Sequence, residues 1–128
     1  MVKPSGWHTV RDDSLDGKYL YNRCHLIAWC LSGMNAEKRN LITGTRYMNV
    51  EGMLPYETQV ANYIERTGSS VLYKVIPDFR DNELVARGVR IQAQSVDGQD
   101  DELSFDVYCY NVQPGYAIDY LTGAASKG

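Results

Sequence analysis

Histidine is nearly missing from this chain: only His8 and His25 occur among 128 residues. Cysteine is as scarce. Cys24, Cys30 and Cys109 make an odd count with no CxxC spacing, which excludes a zinc-finger type of site and gives no disulfide framework. No apolar run has the length of a membrane span, so no spanning helix and no membrane partner are expected. Internal repeats and an interdomain linker are absent. The opening residues, Met1-Val2-Lys3-Pro4-Ser5-Gly6-Trp7, do not read as a signal peptide, and the abrupt start suggests a domain trimmed from something longer. Basic residues give no overall excess either: the net charge is −3.

The charge is unevenly spread. Residues 1–46 hold seven basic and four acidic side chains, a local +3, and the rest of the chain carries −6. Phosphate contact is a local electrostatic matter, so the first third can meet a polyanion although the whole is acidic. Ten tyrosines are many for this length. Most of them suit strand packing with the hydroxyl at the rim, and a few suit stacking on bases or sugars.

The hydrophobic pattern predicts an α+β fold in one domain over residues 1–128. A short strand at 18–21 leads to His25, and a second strand follows at 40–45. Asn35 between them can cap a short helical turn. A helix then starts at Pro55 or earlier, near Asn49, and ends at Gly68. Tyr56, Val60, Tyr63 and Ile64 form its apolar stripe. Alternating runs at 71–76, 84–93 and 103–112 with turn-rich joins predict an antiparallel meander covered on one face. Residues 117–128 read as a tail.

The scarce histidine stands in good company. His25 is followed by Asn40, by Asn49 nine residues later, and by Glu57 eight residues after that. An imidazole, two amide oxygens and a carboxylate are the parts needed to hydrolyse a phosphodiester with one hard metal ion. Imidazole is the usual side chain for taking a proton from water near neutral pH. Asn49 offers a neutral oxygen to magnesium, which keeps several waters and takes further ligands from phosphate. On a continuous α-helix Asn49 and Glu57 lie about 12 Å apart along the axis and about 80° around it. Asn49 would therefore bind directly, and Glu57 would reach the ion through water. Each residue also has an ordinary reading: His25 as a core histidine before Leu26 and Ile27, Asn49 as a turn residue, Glu57 as a first-turn glutamate favoured by the helix dipole. Arg23, Arg39 and Arg46 flank the set, either as solvated surface charges or as forks for a phosphate.

The segment Tyr21-Asn22-Arg23-Cys24-His25-Leu26, followed by Asn40-Leu41-Ile42-Thr43-Gly44-Thr45-Arg46-Tyr47-Met48-Asn49-Val50-Glu51-Gly52-Met53-Leu54-Pro55-Tyr56-Glu57, closely resembles the DNA/RNA non-specific endonucleases, in particular their bacterial DNA-entry nuclease and secreted streptococcal DNase branch. The likeness is dense over residues 6–66 and weaker to about residue 120. It implies a ββα-metal finger, strand, strand and helix around one Mg²⁺, over about residues 18–67, with Mn²⁺ as a substitute. It implies His25 as general base, Asn49 as metal ligand, Asn40 as support of the histidine or phosphate, and Glu57 as a carboxylate behind the metal. Arg46 is expected on the transition-state charge, and Arg23 and Arg39 on the substrate. The family's usual Asp-Arg-Gly-His becomes Asn22-Arg23-Cys24-His25 here. Asn22 drops a charge and Cys24 adds bulk, but neither removes the chemistry. Family members often begin well before the residue matching Trp7, so an upstream strand or helix is expected. The likeness also implies secretion or surface display.

The expected reaction is Mg²⁺-dependent cleavage of DNA, and of RNA, to 5′-phosphate products. Three other readings stand beside it. One is a nucleic-acid-binding domain weakened in catalysis. Another is a nuclease toxin domain of a larger polypeptide, with an immunity or inhibitor protein as partner. The third is a cysteine hydrolase pairing Cys24 or Cys30 with His25, for which adjacency along a strand is poor geometry.

Overall fold

The computed structural model describes residues 3–15, 17–26, 41–96 and 103–128. Arg39, Asn40, Cys30 and the expected Asn35 cap lie outside them. The fold is mixed, with antiparallel strands and one principal helix, as the pattern predicted.

The N-terminal segment folds back through an Asp-rich turn. Asp12 Oδ1 accepts hydrogen bonds from the Ser14 backbone and hydroxyl, and Gly17 and Lys18 take left-handed conformations with φ 77° and 67°. The segment bridges Arg11 to Tyr19, and Leu20 N–H donates to Val10 O at 2.9 Å. Those bonds hold residues 18–20 against the N-terminal segment, so the expected strand is shifted. β1 runs over Tyr21–His25 and carries His25 itself rather than leading to it. It pairs antiparallel with β2, Leu41–Thr45, in a register that sets Asn22 opposite Gly44 and His25 opposite Leu41.

The chain then turns directly into helical structure. Met48–Met53 is a π-helical segment, and α1, Leu54–Thr67, continues from it. Pro55 sits within the first two positions of α1, at the change from π to α geometry. Gly68 ends the helix at φ 69°, its N–H donating to Ile64 O at 2.8 Å. Of the predicted stripe, Val60 and Tyr63 are buried and Tyr56 is half-buried. Ile64 is exposed, because it falls on the solvent edge of the stripe.

β3 (Val71–Pro77), β4 (Gly88–Ser95) and β5 (Ser104–Tyr110) form the predicted antiparallel meander. β4 starts later than expected because residues 84 and 85 pair elsewhere: Leu84 and Val85 donate to Leu121 O and Tyr120 O. Val89, Ile91, Ala93 and Cys109 point inward, and Arg90, Gln94 and Asp106 point out. The inner face packs on the helical segments with Met48 and Met53, and Tyr56 meets Phe105 at 5.2 Å between ring centroids. Residues 117–128 are not a tail. β6 (Tyr116–Ile118) and β7 (Ala125–Lys127) make a hairpin, fastened to β1 by the Tyr21 hydroxyl, which donates to Gly123 O at 2.8 Å. Gly, Ser and Ala soften the strand signal there, so backbone pairing decides the structure rather than an apolar pattern.

Asn111, fully buried, ties these parts together. Its amide donates to Thr43 O at 3.0 Å and Ala86 O at 2.9 Å, and its carbonyl accepts from Thr45 N–H at 2.8 Å. One side chain thus anchors β2 to the meander. Among the described residues no helix is long and apolar enough to cross a membrane.

Candidate active site

β1, β2 and the start of the helical segment meet where the sequence placed its candidates. The first turn, Met48–Met53, has π rather than α geometry, and such turns recur at functional sites. The spacing of 12 Å and 80° expected between Asn49 and Glu57 assumed a regular α-helix, so it does not apply across this segment. The turn is anchored at its start, where Met48 N–H donates to the Thr45 hydroxyl at 2.9 Å, and Gly52 lies against Cys109.

Asn49 is half-buried and faces β1. Its amide nitrogen donates to Asn22 Oδ1 at 3.4 Å. Its carbonyl oxygen accepts only the weak Cys24 thiol at 3.5 Å among the described residues. An amide held through its nitrogen presents its oxygen, which is the atom a hard cation would use. Asn22, standing where the family has aspartate, supplies the hydrogen-bond acceptor without the charge.

Cys24 shows how a larger side chain fits where the family has glycine. It is fully buried, and its sulfur lies 3.5 Å from Met53 Sδ. Room comes from β2: a Cβ at Gly44 would lie 2.8 Å from Cys24 Cβ and 3.0 Å from Met48 Cε. Burial pushes the thiol up to about 12, with the nearby Glu57 charge adding to the effect. A thiol so protonated, on the inward face of the strand, is no nucleophile, which removes Cys24 from the cysteine-hydrolase reading; Cys30, its other candidate, lies outside the described residues.

Glu57 is 7% exposed in the first turn of α1. Desolvation pushes its carboxyl up to about 7, and its charge is felt by both Cys24 and Cys109. Among the described residues no hydrogen bond or ion pair compensates it. A carboxylate sunk in apolar surroundings without a counter-charge is costly alone and suits a nearby cation. Asn49 and Asn22 add neutral oxygens, so the donor set is hard and fits Mg²⁺. No cluster of three His, Cys, Asp or Glu occurs among the described residues, so few charged protein ligands would be in direct contact.

His25 ends β1, half-buried, one residue past Cys24 and paired with Leu41. Strand alternation turns it and Arg23 away from the Cys24 face. Arg23 is exposed. Arg46, expected on the transition-state charge, lies with its guanidinium against Gly17: a Cβ there would be 3.3 Å from Cζ. The structure thus brings Asn22, Cys24 and Asn49 into contact, sets Glu57 beside the same core, and places His25 on the adjoining strand end. Gly44 and Asn111 escaped the sequence reading. A glycine inside a strand does signal close approach, whereas nothing local marks Asn111 as buried.

Comparison with known proteins agrees with this architecture. A deoxyribonuclease of Streptococcus dysgalactiae subsp. equisimilis is 36% identical over 110 residues, covering 82% of this chain and 32% of that protein. Among solved structures, NucA from Streptococcus agalactiae with magnesium ion bound superposes with a TM-score of 0.87 at 29% identity, covering 99% of this chain and 63% of that one. Sda1 nuclease with bound zinc ion gives 0.76 at 37% identity, covering 87% and 47%. The chain therefore spans about a third of the curated relative and less than two thirds of these structures. The profile of the DNA/RNA non-specific endonucleases matches residues 2–97, the stretch that contains both strands, the π-helical turn and the buried glutamate, and the chain belongs to that family.

Proposed function

We propose that this chain is the catalytic part of a sugar-non-specific endonuclease that hydrolyses phosphodiester bonds of DNA, and of RNA, with Mg²⁺ as its cation and Mn²⁺ as a substitute. The observation that carries the reading is the pairing of two features: an Asn49 amide held by Asn22 so that its oxygen is presented, and a buried Glu57 carboxylate, without a counter-charge among the described residues, whose charge reaches the same Cys24 that Asn49 contacts. When bound there, the cation would stabilise charge on the phosphate and on the leaving oxygen.

The chain's own residues account for the remaining work. His25 takes the proton of the attacking water. Asn40 steadies that imidazole or the phosphate. Arg23, exposed and two residues before His25 on the same face, is well placed for a phosphate of the substrate, and Arg39 is assigned to the substrate as well. Arg46 would have to reach the site from its position against Gly17, so Arg23 carries more of this reading than Arg46. Water forms the new P–O bond and the P–O3′ bond breaks, so the phosphate stays on the 5′ end. No ribose 2′-hydroxyl takes part, which lets both sugars serve. Secretion belongs to the same reading.

The test is cleavage of end-labelled single- and double-stranded DNA and of RNA, with the product ends mapped. Ligatable 5′-phosphates from both polymers support the proposal. A cyclic phosphate from RNA would show the 2′-hydroxyl rather than water as the nucleophile, and 3′-phosphate products would show that the 5′ oxygen leaves instead; either outcome contradicts the proposal.

A further inference from the structure

A cavity of about 380 Å³ lies between the N-terminal segment and β1, and no role has yet been given to it. Its walls include Trp7, Tyr19, Asn22 and Arg23. Tyr21 also lines it, but its hydroxyl is committed to Gly123. Tyr19 is 42% exposed, with the Arg11 guanidinium 5.9 Å from its ring centroid. The indole N–H of Trp7 is buried and has no hydrogen-bond partner among the described residues. Among the described residues no carboxylate lines the cavity. Two acids of the adjoining turn are already paired: Asp13 with Arg11 at 3.1 Å, and Asp12 with Lys127 at 3.2 Å. Arg23 has no acidic partner among the described residues.

Aromatic walls, an available arginine and the absence of acid define the chemistry of a nucleotide: a flat ring to stack and a phosphate to pair. Asn22 joins the cavity to the active site, since it lines the one and holds Asn49 in the other. Arg23 and His25 are two strand residues apart, roughly 7 Å, so a phosphate at Arg23 neighbours the one at His25. We propose that this cavity is a nucleotide subsite, where Tyr19 and Trp7 stack a base next to the scissile phosphate and Arg23 holds the adjoining phosphate. This deepens the nuclease reading and rests on it. Stacking is indifferent to base identity, so the subsite adds affinity without sequence preference.

The experiment is fluorescence anisotropy in EDTA with two labelled probes, a twelve-residue oligothymidylate and an abasic strand of the same length. The intact chain is compared with Tyr19→Ala and Tyr19→Phe, each checked for an unchanged Tm. The intact chain is expected to favour the base-bearing strand by about tenfold. Tyr19→Ala abolishes that preference and Tyr19→Phe keeps it. Equal binding of both strands by the intact chain, or a preference that survives Tyr19→Ala, overturns the subsite. Binding without metal is independent of cleavage. A chain that cuts DNA but shows no base preference sinks the subsite alone. A chain that keeps a Tyr19-dependent preference but never cuts leaves the subsite standing and sinks the nuclease reading.

Discussion

Glu57 sets function against stability. Its folded pKa, about 7, lies above its ordinary 4.5, so between those values the native state binds a proton that the unfolded chain has lost. The contribution of Glu57 to stability in the absence of metal is therefore greatest below pH 4.5, falls as pH rises through that window, and is lost above about 7. Glu57→Gln is expected to flatten this dependence and to stabilise the metal-free chain at pH 8 by up to about 3 kcal/mol, read by urea denaturation at pH 5 and pH 8 in EDTA. The same variant should lose most cleavage activity, and a destabilised Glu57→Gln at pH 8 would show that the carboxylate is paired after all. Asn22→Asp restores a charge beside the Asn49 amide, where a charge-assisted hydrogen bond is stronger. It is expected to lower the Mg²⁺ concentration giving half-maximal activity several-fold, while Asn22→Ala raises it.

The two strands and the helix were legible in the alternation and stop signals, because backbone period and apolar burial coincide there. The π geometry at Met48–Met53 was not, since a turn with one more residue per hydrogen-bonded loop has no compositional mark. Likewise β1 slid to include His25 because residues 18–20 bond to the N-terminal segment, a long-range preference that local pattern does not reveal. The fit of Cys24 depends on Gly44 across the ladder. Gly44→Ala is expected to cost about 1–3 kcal/mol through overpacking. In a Cys24→Gly background that cost should fall by at least half, measured as a double-mutant cycle. Additive losses would mean that Gly44 is needed for another reason.

Across the whole molecule, the site depends on parts remote from it in sequence. Asn111 pins β2 to the meander through three hydrogen bonds, and the 116–127 hairpin reaches back to β1 through Tyr21. Neither link could be read from residues 111–128, where the apolar signal is weak. Asn111→Ala leaves Thr45 N–H, Thr43 O and Ala86 O unpaired in the core, and should destabilise the chain by about 2–4 kcal/mol. Activity per folded molecule is expected to fall as well, because β2 is then free to shift against β1. A Tm within a degree of the parent would refute this clamp. His25, Asn49 and Glu57 are the proposed site residues that the sequence itself singles out, since they are polar, spaced along one short stretch, and include one of only two histidines.

The most direct test of the central claim is plasmid cleavage by the purified chain with Mg²⁺, with EDTA, and after His25→Ala. The account predicts nicking and linearisation with Mg²⁺, none with EDTA, and a loss of at least a hundredfold in the His25→Ala variant. Cleavage that persists in EDTA, or that His25→Ala leaves intact, would contradict it.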